Sequence, residues 1–398
     1  MTIDIPATIT DEEPHLTALR TRVREALAPF GVEDFDRWEE AGEYPEPVFD
    51  AIRDAGFTAL TIAPEFGGEG LGVLEACVVL EELSCTGGLA AGMILQMFVN
   101  GPSRAIREIG NAEQHARYLP EIAKGDTYFA VAMTEPTAGS SVVDMLTTLT
   151  PDGDGYRLSG EKCYITGATR ANAFLVFCRI EGSVGPKGLG TVVVRSDQEG
   201  FRIERGTKKM GGNAIPEGEL FFDRVRIKES DVVLKPDVDS TRGANIMLRQ
   251  FNPERCGNAA MVLGVARAAL EMSIRYSRER HQFGREICEF QGIQWKLADM
   301  AIRYESARLL LRRAATSDVD GFPDLRATMM AKIAANEAAE YICREAIQIH
   351  GHLGFTQDRP VERFYREVRG SWIGGGTLET NRNVLAAEVI GRRFSQRG

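Results

Sequence analysis

Residues suited to hold a metal ion are scarce in this 398-residue sequence. It contains five histidines and seven cysteines, and the cysteines show neither a CxxC pair nor the spacing of a zinc site. An odd number of scattered cysteines is typical of reduced thiols rather than of a disulfide framework. We therefore expect free thiols and no metal centre.

Long apolar runs and dense basic blocks are missing as well. No stretch of about 18 consecutive apolar residues is present, which argues against a transmembrane helix. The first residues, MTIDIPATITDEEPHL, lack the apolar core of a secretory signal and the arginines of a transit peptide, so we expect a cytoplasmic protein. The net charge of −10, without a Lys/Arg cluster, argues against a nucleic-acid surface.

Glycine-rich nucleotide-binding loops are absent too. No Gly-x-Gly-x-x-Gly segment follows a strand pattern, so a Rossmann unit is not expected. The segment GSVGPKGLG is followed by neither Lys-Ser/Thr nor a helix, and we interpret it as a hairpin loop. Any phosphate-bearing ligand would therefore need another kind of local site.

The residue pattern divides the chain into three parts. Residues 1–125 carry apolar residues at three- and four-residue spacing, which predicts helices. Residues 126–235 contain short β-branched and aromatic segments between turns, which predicts an antiparallel barrel or sandwich. Residues 236–398 return to long helices, which predicts a four-helix bundle. The clearest apolar stripe of this third part consists of Ile293, Leu297, Met300, Tyr304, Ala307 and Leu311. The predicted fold class is α+β multidomain: a helical domain, a central antiparallel β-barrel and a four-helix bundle.

Three segments carry more polar and aromatic side chains than packing requires. AMTEPTAGSS ends a predicted strand with hydroxyl and backbone N–H groups at a turn, and KCYITGA places Tyr164 beside Thr166. In RERHQFG, Arg280 can pair with a pyrophosphate and Phe283 can stack on a base. Each segment alone is also consistent with strand propensity or helix-dipole effects, so the signal is their joint occurrence.

Together with RHQFGREICEFQGIQWKLADM and PVERFYREVR…GGGTLETNR, these segments resemble the successive motifs of the acyl-CoA dehydrogenase family through essentially the whole chain. The resemblance implies the three-domain fold, bound FAD, a homotetramer and a role in fatty-acid or branched-chain acyl metabolism. It implies α,β-dehydrogenation of an acyl-CoA, or of an acyl-pantetheine, to the trans-2-enoyl thioester. It also implies an electron-transferring flavoprotein as electron acceptor.

The resemblance assigns cofactor roles to particular residues. Met133 and Thr134 are expected at the flavin pyrimidine edge and Thr166 at N5, where hydride arrives. Arg280 and Phe283 are expected to hold the ADP half of an FAD in the neighbouring subunit. The full implied set is Met133, Thr134, Gly139, Ser140, Tyr164, Thr166, Arg280, Phe283, Gln348, Gly351, Thr377 and Glu379. Two local departures are Ser141, where the family usually has Asp, and His352, where it usually has Gly.

The carboxylate that most of the family uses as a base is missing from its usual loop. Most members have YEGT there, whereas this chain has IGGGT, with Gly375 at the position of the Glu. The isovaleryl-CoA and long-chain members instead supply a Glu-Arg pair from the start of a bundle helix, here Glu254 and Arg255. The resemblance thus implies Glu254 as the base and the Gly375 N–H as a thioester oxygen ligand. The implied substrate contacts are Ser140, Phe251, Asn252, Arg255 and Gly376, and the tail pocket is expected in AAGMILQMFVNG.

Several alternatives stay open from sequence alone. Asn252 suits a helix N-cap, Pro253 a first turn and Glu254 the positive end of a helix dipole, which would make all three structural. The same fold also serves enoyl-thioester reductases, desulfinase-like lyases and flavin oxygenases, although Glu254 argues against the last two. A structural subunit of a heteromeric dehydrogenase is a non-enzymatic alternative.

Overall fold

The computed structural model describes residues 13–317, 321–392 and 394. Most of the N-terminal segment that suggested a cytoplasmic protein lies outside these described residues, as does part of the break predicted at TSDVDGFPD. All seven cysteines are described and free.

Helices occupy both ends of the chain. The N-terminal helices are α1 (Pro14–Leu27), α2 (Val32–Ala41), α3 (Glu46–Asp54), α4 (Val73–Val99), α5 (Pro102–Ile109) and α6 (Ala112–Ala123). The C-terminal helices are α7 (Arg242–Glu279), α8 (Gln291–Ala315), α9 (Leu325–His350), α10 (His352–Phe355), α11 (Val361–Ser371) and α12 (Leu378–Ile390). This arrangement confirms the predicted helical N- and C-terminal parts.

An eight-stranded sheet lies between the two helical parts. Its strands are β1 (Phe129–Ala132), β2 (Thr148–Asp152), β3 (Gly155–Thr166), β4 (Ala173–Ile180), β5 (Leu189–Arg195), β6 (Phe201–Arg205), β7 (Glu217–Lys228) and β8 (Val232–Leu234). Their order is β6-β7-β3-β2-β4-β5-β8, with β1 paired to β4. A separate short hairpin joins β9 (His281–Gln282) to β10 (Arg285–Glu286).

The sheet differs from the predicted antiparallel barrel. Strand β4 pairs in parallel with both β1 and β2, so the sheet is mixed, and its order runs openly from β6 to β8. A closed barrel is therefore not confirmed. The hairpin interpretation of GSVGPKGLG is confirmed, because this segment joins the antiparallel strands β4 and β5.

The long C-terminal helices pack through the predicted stripe. Met300, Tyr304, Ala307 and Leu311 of α8 are buried. Helix α8 runs antiparallel to α9, since Lys296 pairs with Glu345 while Asp299 contacts Tyr341. Helix α7 packs against α8, α9 and α4, so the N-terminal part joins the bundle through α4.

Helix α4 is the apolar centre of the molecule. The stretch 73–109 is long and apolar enough to cross a membrane, but 83% of its most apolar window is buried within the fold, as in a core helix. The helix bends at Gly88, whose φ is 70°. The amide that follows the bend, Leu89 N, donates to the buried carboxylate of Glu367 in α11 at 3.0 Å. Helix α11 therefore supports this bend in α4.

Candidate active site

The triglycine segment, residues 374–376, connects α11 to α12. Gly375 and Gly376 have φ values of 67° and 89°, in the left-handed region that favours glycine. A Cβ at Gly375 would lie 3.3 Å from Lys332 Nζ, whereas one at Gly374 would meet nothing within 4 Å. The glycines thus allow the backbone to turn tightly against the bundle. The side of this turn that faces away from the bundle stays open.

Two cations hold the carbonyl groups of this segment. The Lys332 ammonium, which is fully buried on α9, donates to Gly374 O and also to Gly376 O at 2.6 Å. The Arg255 guanidinium donates through Nε to Gly375 O at 3.1 Å. All three glycine carbonyls therefore point towards the bundle.

The same clamp directs two amide groups away from the bundle. In a planar trans peptide the N–H points opposite to the carbonyl of the preceding residue. The N–H groups of Gly375 and Gly376 therefore point away from Lys332 and Arg255. Within the described ranges, neither N–H has a hydrogen-bond acceptor. A pair of donors held in this way is suited to bind an oxyanion.

Glu254 lies within a long helix and not at its start. Helix α7 begins at Arg242 after Thr241, more than two turns before Asn252. The Asn252 side chain does not cap the helix; it donates to Pro323 O at 2.9 Å and accepts from Arg255 at 3.0 Å. The expectation that Glu254 comes from the start of a helix is therefore wrong, and so is the N-cap interpretation of Asn252, Pro253 and Glu254.

The Glu254 carboxylate is half-buried and unpaired. No hydrogen bond or ion pair reaches its side-chain oxygens from any residue that the structure describes. Burial raises the pKa of Glu254 to about 7, against the lowering effect of the Arg255 and Lys332 charges. A carboxyl group with this pKa and no fixed partner is suited to exchange a proton with a ligand at neutral pH.

The charges of the two clamping residues respond to the same burial. Burial lowers the pKa of Arg255 to about 10, so its guanidinium remains charged at neutral pH. Burial and the nearby charge of Arg255 also lower the pKa of Lys332. The two carbonyl acceptors of Lys332 favour its ammonium form, because they bind only donors. Glu254 therefore has one neighbour, Arg255, that stays charged at neutral pH, and a second, Lys332, whose carbonyl acceptors favour the charged form.

Residues predicted to contact the flavin meet where β1 ends beside β3. Cys163 N donates to Thr134 O at 2.9 Å, and Lys162 Nζ donates to Met133 O at 2.9 Å. Lys162 also forms a buried ion pair of 2.8 Å with Glu135, which the motif analysis did not single out. These contacts place Met133 and Thr134 next to the strand that carries Tyr164 and Thr166.

Tyr164 and Phe283 have an unusual backbone conformation. Their φ values are 58° and 53°, and among the described non-glycine residues only Arg224 shares this feature. The side chains are 69% and 94% exposed. Exposed aromatic planes in a disfavoured conformation are typical of ligand contacts. Thr166 is half-buried on the same open side of β3 as Tyr164. These residues fit a bound flavin.

The turn after β1 is open and polar. Gly139 and Ser140 are exposed there. The Ser141 hydroxyl donates to the carboxylate of Asp144, so an acidic group stands three residues beyond the position where the family usually has Asp. Ser141 replaces the usual Asp of the family, and the hydrogen bond to Asp144 keeps a carboxylate close to this position.

A second group of predicted cofactor residues lies at the ends of α7 and α9. Arg280 follows α7, while Gln348 and Gly351 end α9. Tyr276 stacks on His350 at 4.5 Å and joins the two helix ends. No hydrogen bond or ring contact between described residues links this group to the one on β1 and β3.

The remaining predicted residues surround the glycine segment or the start of α7. Thr377 caps α12 by accepting from Thr380 N at 3.2 Å, and Glu379 follows as an exposed residue. Phe251 packs on Phe177 of the sheet at 5.8 Å. The structure thus brings Phe251, Arg255 and Gly376 into one region with Glu254.

Sequence reasoning missed Lys332 and Gln96. Lys332 stands in MMAKIAANEAA, where a lysine among apolar residues was the available signal of burial. Gln96 stands in the predicted tail-pocket segment, and its Nε2 donates to the backbone oxygen of Glu254 at 3.0 Å.

Comparison with known proteins identifies the family. Models of the N-terminal, middle and C-terminal domains of acyl-CoA dehydrogenases match residues 13–126, 130–225 and 241–390. The chain is 37% identical over 393 residues to a 3-sulfinopropanoyl-CoA desulfinase of Paraburkholderia xenovorans (strain LB400), covering 98% of both chains. It is 34% identical to the acryloyl-CoA reductase (NADH) of Anaerotignum propionicum, covering 96% of both.

A solved structure supports the same assignment. The butyryl-CoA dehydrogenase of Megasphaera elsdenii superposes with a TM-score of 0.90 at 27% identity, over 96% of this chain and 99% of that one. The three domain models, the relatives and this superposition agree across nearly the whole chain. The chain therefore belongs to the acyl-CoA dehydrogenase family and is a flavin-dependent oxidoreductase with FAD as its cofactor.

Proposed function

We propose that this enzyme converts an acyl-CoA to the trans-2-enoyl thioester, with Glu254 taking the α-proton. The observation that carries the proposal is the half-buried, unpaired Glu254 carboxylate beside the clamped glycine segment. Arg255 connects the two directly, since it follows Glu254 and binds Gly375 O. A purely structural subunit gives no reason for a carboxyl group with this pKa at this place.

The chain contributes two linked effects to the reaction. The N–H groups of Gly375 and Gly376 bind the thioester oxygen and stabilise the negative charge that develops when the α-proton leaves. Glu254 accepts that proton on a side-chain oxygen. Tyr164 and Thr166 would hold FAD on the other side of the acyl chain, where the cofactor would supply the acceptor for the hydride of the β-carbon. We propose that an electron-transferring flavoprotein then receives the electrons of that hydride.

Anaerobic titration tests this function. FAD-loaded enzyme is mixed with short, branched and longer acyl-CoAs, and the absorbance of oxidised flavin is followed. We expect a subset of thioesters to bleach the flavin within seconds. Failure of every acyl-CoA to bleach a fully loaded protein would contradict the proposal.

A second candidate is the reverse reaction on an enoyl thioester. The similarity to an acryloyl-CoA reductase supports it, and the same proton donor and oxyanion ligands serve both directions. Chemically reduced enzyme is mixed with trans-2-enoyl-CoA without oxygen. Reoxidation faster than the forward bleaching at matched concentrations would favour the reductase. Carrier-protein thioesters, run in parallel, test the choice of acyl carrier.

The forward rate should depend on pH through Glu254. The carboxylate form accepts the proton, and burial raises its pKa to about 7. The rate constant for flavin reduction should therefore fall as pH drops below about 7, approaching tenfold per unit, and level off above it. Stopped-flow measurements from pH 5.5 to 9 check this. A flat profile through pH 7 would contradict the assignment of the base.

We also propose a homotetramer. In the single chain, α8 exposes Trp295, Ile302 and Leu309 at seven-residue intervals, each more than 60% accessible. Such a stripe is typical of a helix that packs on another subunit. Light scattering should give about four times the chain mass of 43.8 kDa. Ile302→Glu should produce smaller species, whereas Arg313→Glu on the same helix should not.

A further inference from the structure

Three buried amide side chains lie where α4 and the residue after it pack against α7, and one of them contacts the backbone of Glu254. The helices run antiparallel: a Cβ at Gly92 would lie 2.8 Å from Met261 Cγ, and one at Gly257 would lie 2.0 Å from Gln96 Oε1. Gln96 in turn contacts the backbone of Glu254. This register places the next turn, with Asn100 directly after α4, beside the start of the stripe that carries Gln250 and Glu254.

The side-chain amides of these three residues lack hydrogen-bond partners. Gln96, Asn100 and Gln250 are 1%, 0% and 5% exposed. Both polar atoms of Asn100 and of Gln250, together with Gln96 Oε1, form no hydrogen bond with any described residue. Buried polar atoms in folded proteins are nearly always paired, because leaving them unpaired is costly. Five such atoms at the packing of α4 on α7 therefore leave hydrogen bonds that a polar ligand group can complete.

The hydrogen-bonding capacity of the amides restricts the kind of group that can bind there. The unpaired atoms are three oxygens, which only accept hydrogen bonds, and two nitrogens, which donate them. The orientation of the Gln96 amide is fixed, because its nitrogen donates to the Glu254 carbonyl. Turning the Asn100 or Gln250 amide exchanges one oxygen with one nitrogen and leaves the balance unchanged. A carboxylate would leave the oxygens unpaired, and an ammonium group would leave the nitrogens unpaired. A neutral group that both donates and accepts satisfies both kinds.

We propose that this amide group, formed by Gln96, Asn100 and Gln250, binds a hydroxyl or carboxamide substituent on the acyl chain of the substrate. The inference rests on the proposed function, since it takes Glu254 to mark the α-carbon of a bound thioester. It specifies the acyl class: a chain with a neutral hydrogen-bonding substituent instead of a plain alkyl chain or a diacid.

Matched thioesters test the inference. 4-Hydroxybutanoyl-CoA is compared with pentanoyl-CoA, and 5-hydroxypentanoyl-CoA with hexanoyl-CoA, with glutaryl-CoA as the charged member. Dissociation constants come from the perturbed flavin spectrum, and rates come from anaerobic flavin reduction. For at least one chain length, the ratio of the flavin-reduction rate to the dissociation constant should be at least about tenfold higher for the hydroxyacyl thioester than for its alkyl partner. The reason is that buried amides disfavour groups that cannot form hydrogen bonds with them.

Substitutions show whether these amides cause the preference for the hydroxyacyl thioester. Asn100→Leu and Gln250→Met replace amides by apolar groups of similar size and should reverse the preference towards the alkyl partner. Asn245→Leu, at an exposed position of α7, should retain the wild-type preference. If the buried variants do not fold, the wild-type comparison alone decides.

The outcomes separate the two proposals. Equal or alkyl-favouring values in the wild type, with normal flavin bleaching, would overturn the inference and leave the dehydrogenase intact. Tighter binding of the hydroxyacyl thioesters without any bleaching would sustain the inference and overturn the dehydrogenase.

Discussion

Replacement of Glu254 by Gln should slow flavin reduction by an acyl-CoA by about 10²- to 10⁴-fold, the usual contribution of a positioned base. Gln keeps the size of the side chain but cannot accept the α-proton. The Glu254 side chain makes no hydrogen bond with the described residues, so its replacement removes no contact that supports the fold. FAD content and the unfolding midpoint should therefore stay near the wild-type values. Anaerobic stopped-flow spectroscopy on fully loaded protein measures the rate.

Glu271 offers a matched control on the same helix. It is half-buried, burial raises its pKa, and it lies 3.7 Å from Arg267 instead of beside the glycines. Glu271→Gln should reduce flavin at the wild-type rate. If Glu254→Gln and Glu271→Gln were equally fast, Glu254 would lose its role as the base.

Lys332→Met should lower the rate of flavin reduction by about a hundredfold, the typical effect of losing an oxyanion donor. Without the ammonium, the carbonyls of Gly374 and Gly376 lose the group that turns them towards the bundle. The N–H groups of Gly375 and Gly376 then lose their fixed direction. Lys332 is thus a positioning residue, which acts through the glycine backbone.

The pH profile distinguishes this role from a general loss of stability. The positive charge of Lys332 lowers the pKa of Glu254, so its removal should raise that pKa further. The rising limb of the rate profile should move to a pH above the wild-type midpoint. Lys296→Met, which removes a half-buried lysine paired with Glu345 between α8 and α9, serves as control. A folded Lys332→Met protein with the wild-type rate and midpoint would contradict the positioning role.

Local periodicity was sufficient to predict the helices of the bundle. The stripe through Met300 and Tyr304 of α8 has helical spacing, and its side chains are buried against the neighbouring helices. The start of α7 was missed for a physical reason. Pro253 favours a first turn, yet Met247 and Phe251 pack on the sheet beside Phe177, and this burial keeps the preceding turns helical.

The pairing of the strands and the contacts within the site could be determined only from the tertiary structure. Short β-branched strands look alike whether they pair in parallel or antiparallel, so the parallel neighbours of β4 could not be inferred from composition. The motifs around Thr134 and Tyr164 were visible because they lie within contiguous segments. Lys332 reaches glycines more than forty residues away, and no local pattern encodes that contact.

Exchange of the α-hydrogens into D₂O tests the role of Glu254 most directly. An acyl-CoA whose β-carbon is replaced by sulfur keeps its α-hydrogens but has no β-hydrogen to transfer, so proton removal can be observed alone by NMR. Wild-type enzyme with bound FAD should exchange these hydrogens rapidly at pH 8, and Glu254→Gln should exchange them no faster than a sample without enzyme. Equal exchange by both proteins would show that another group removes the proton, and the central proposal would be wrong.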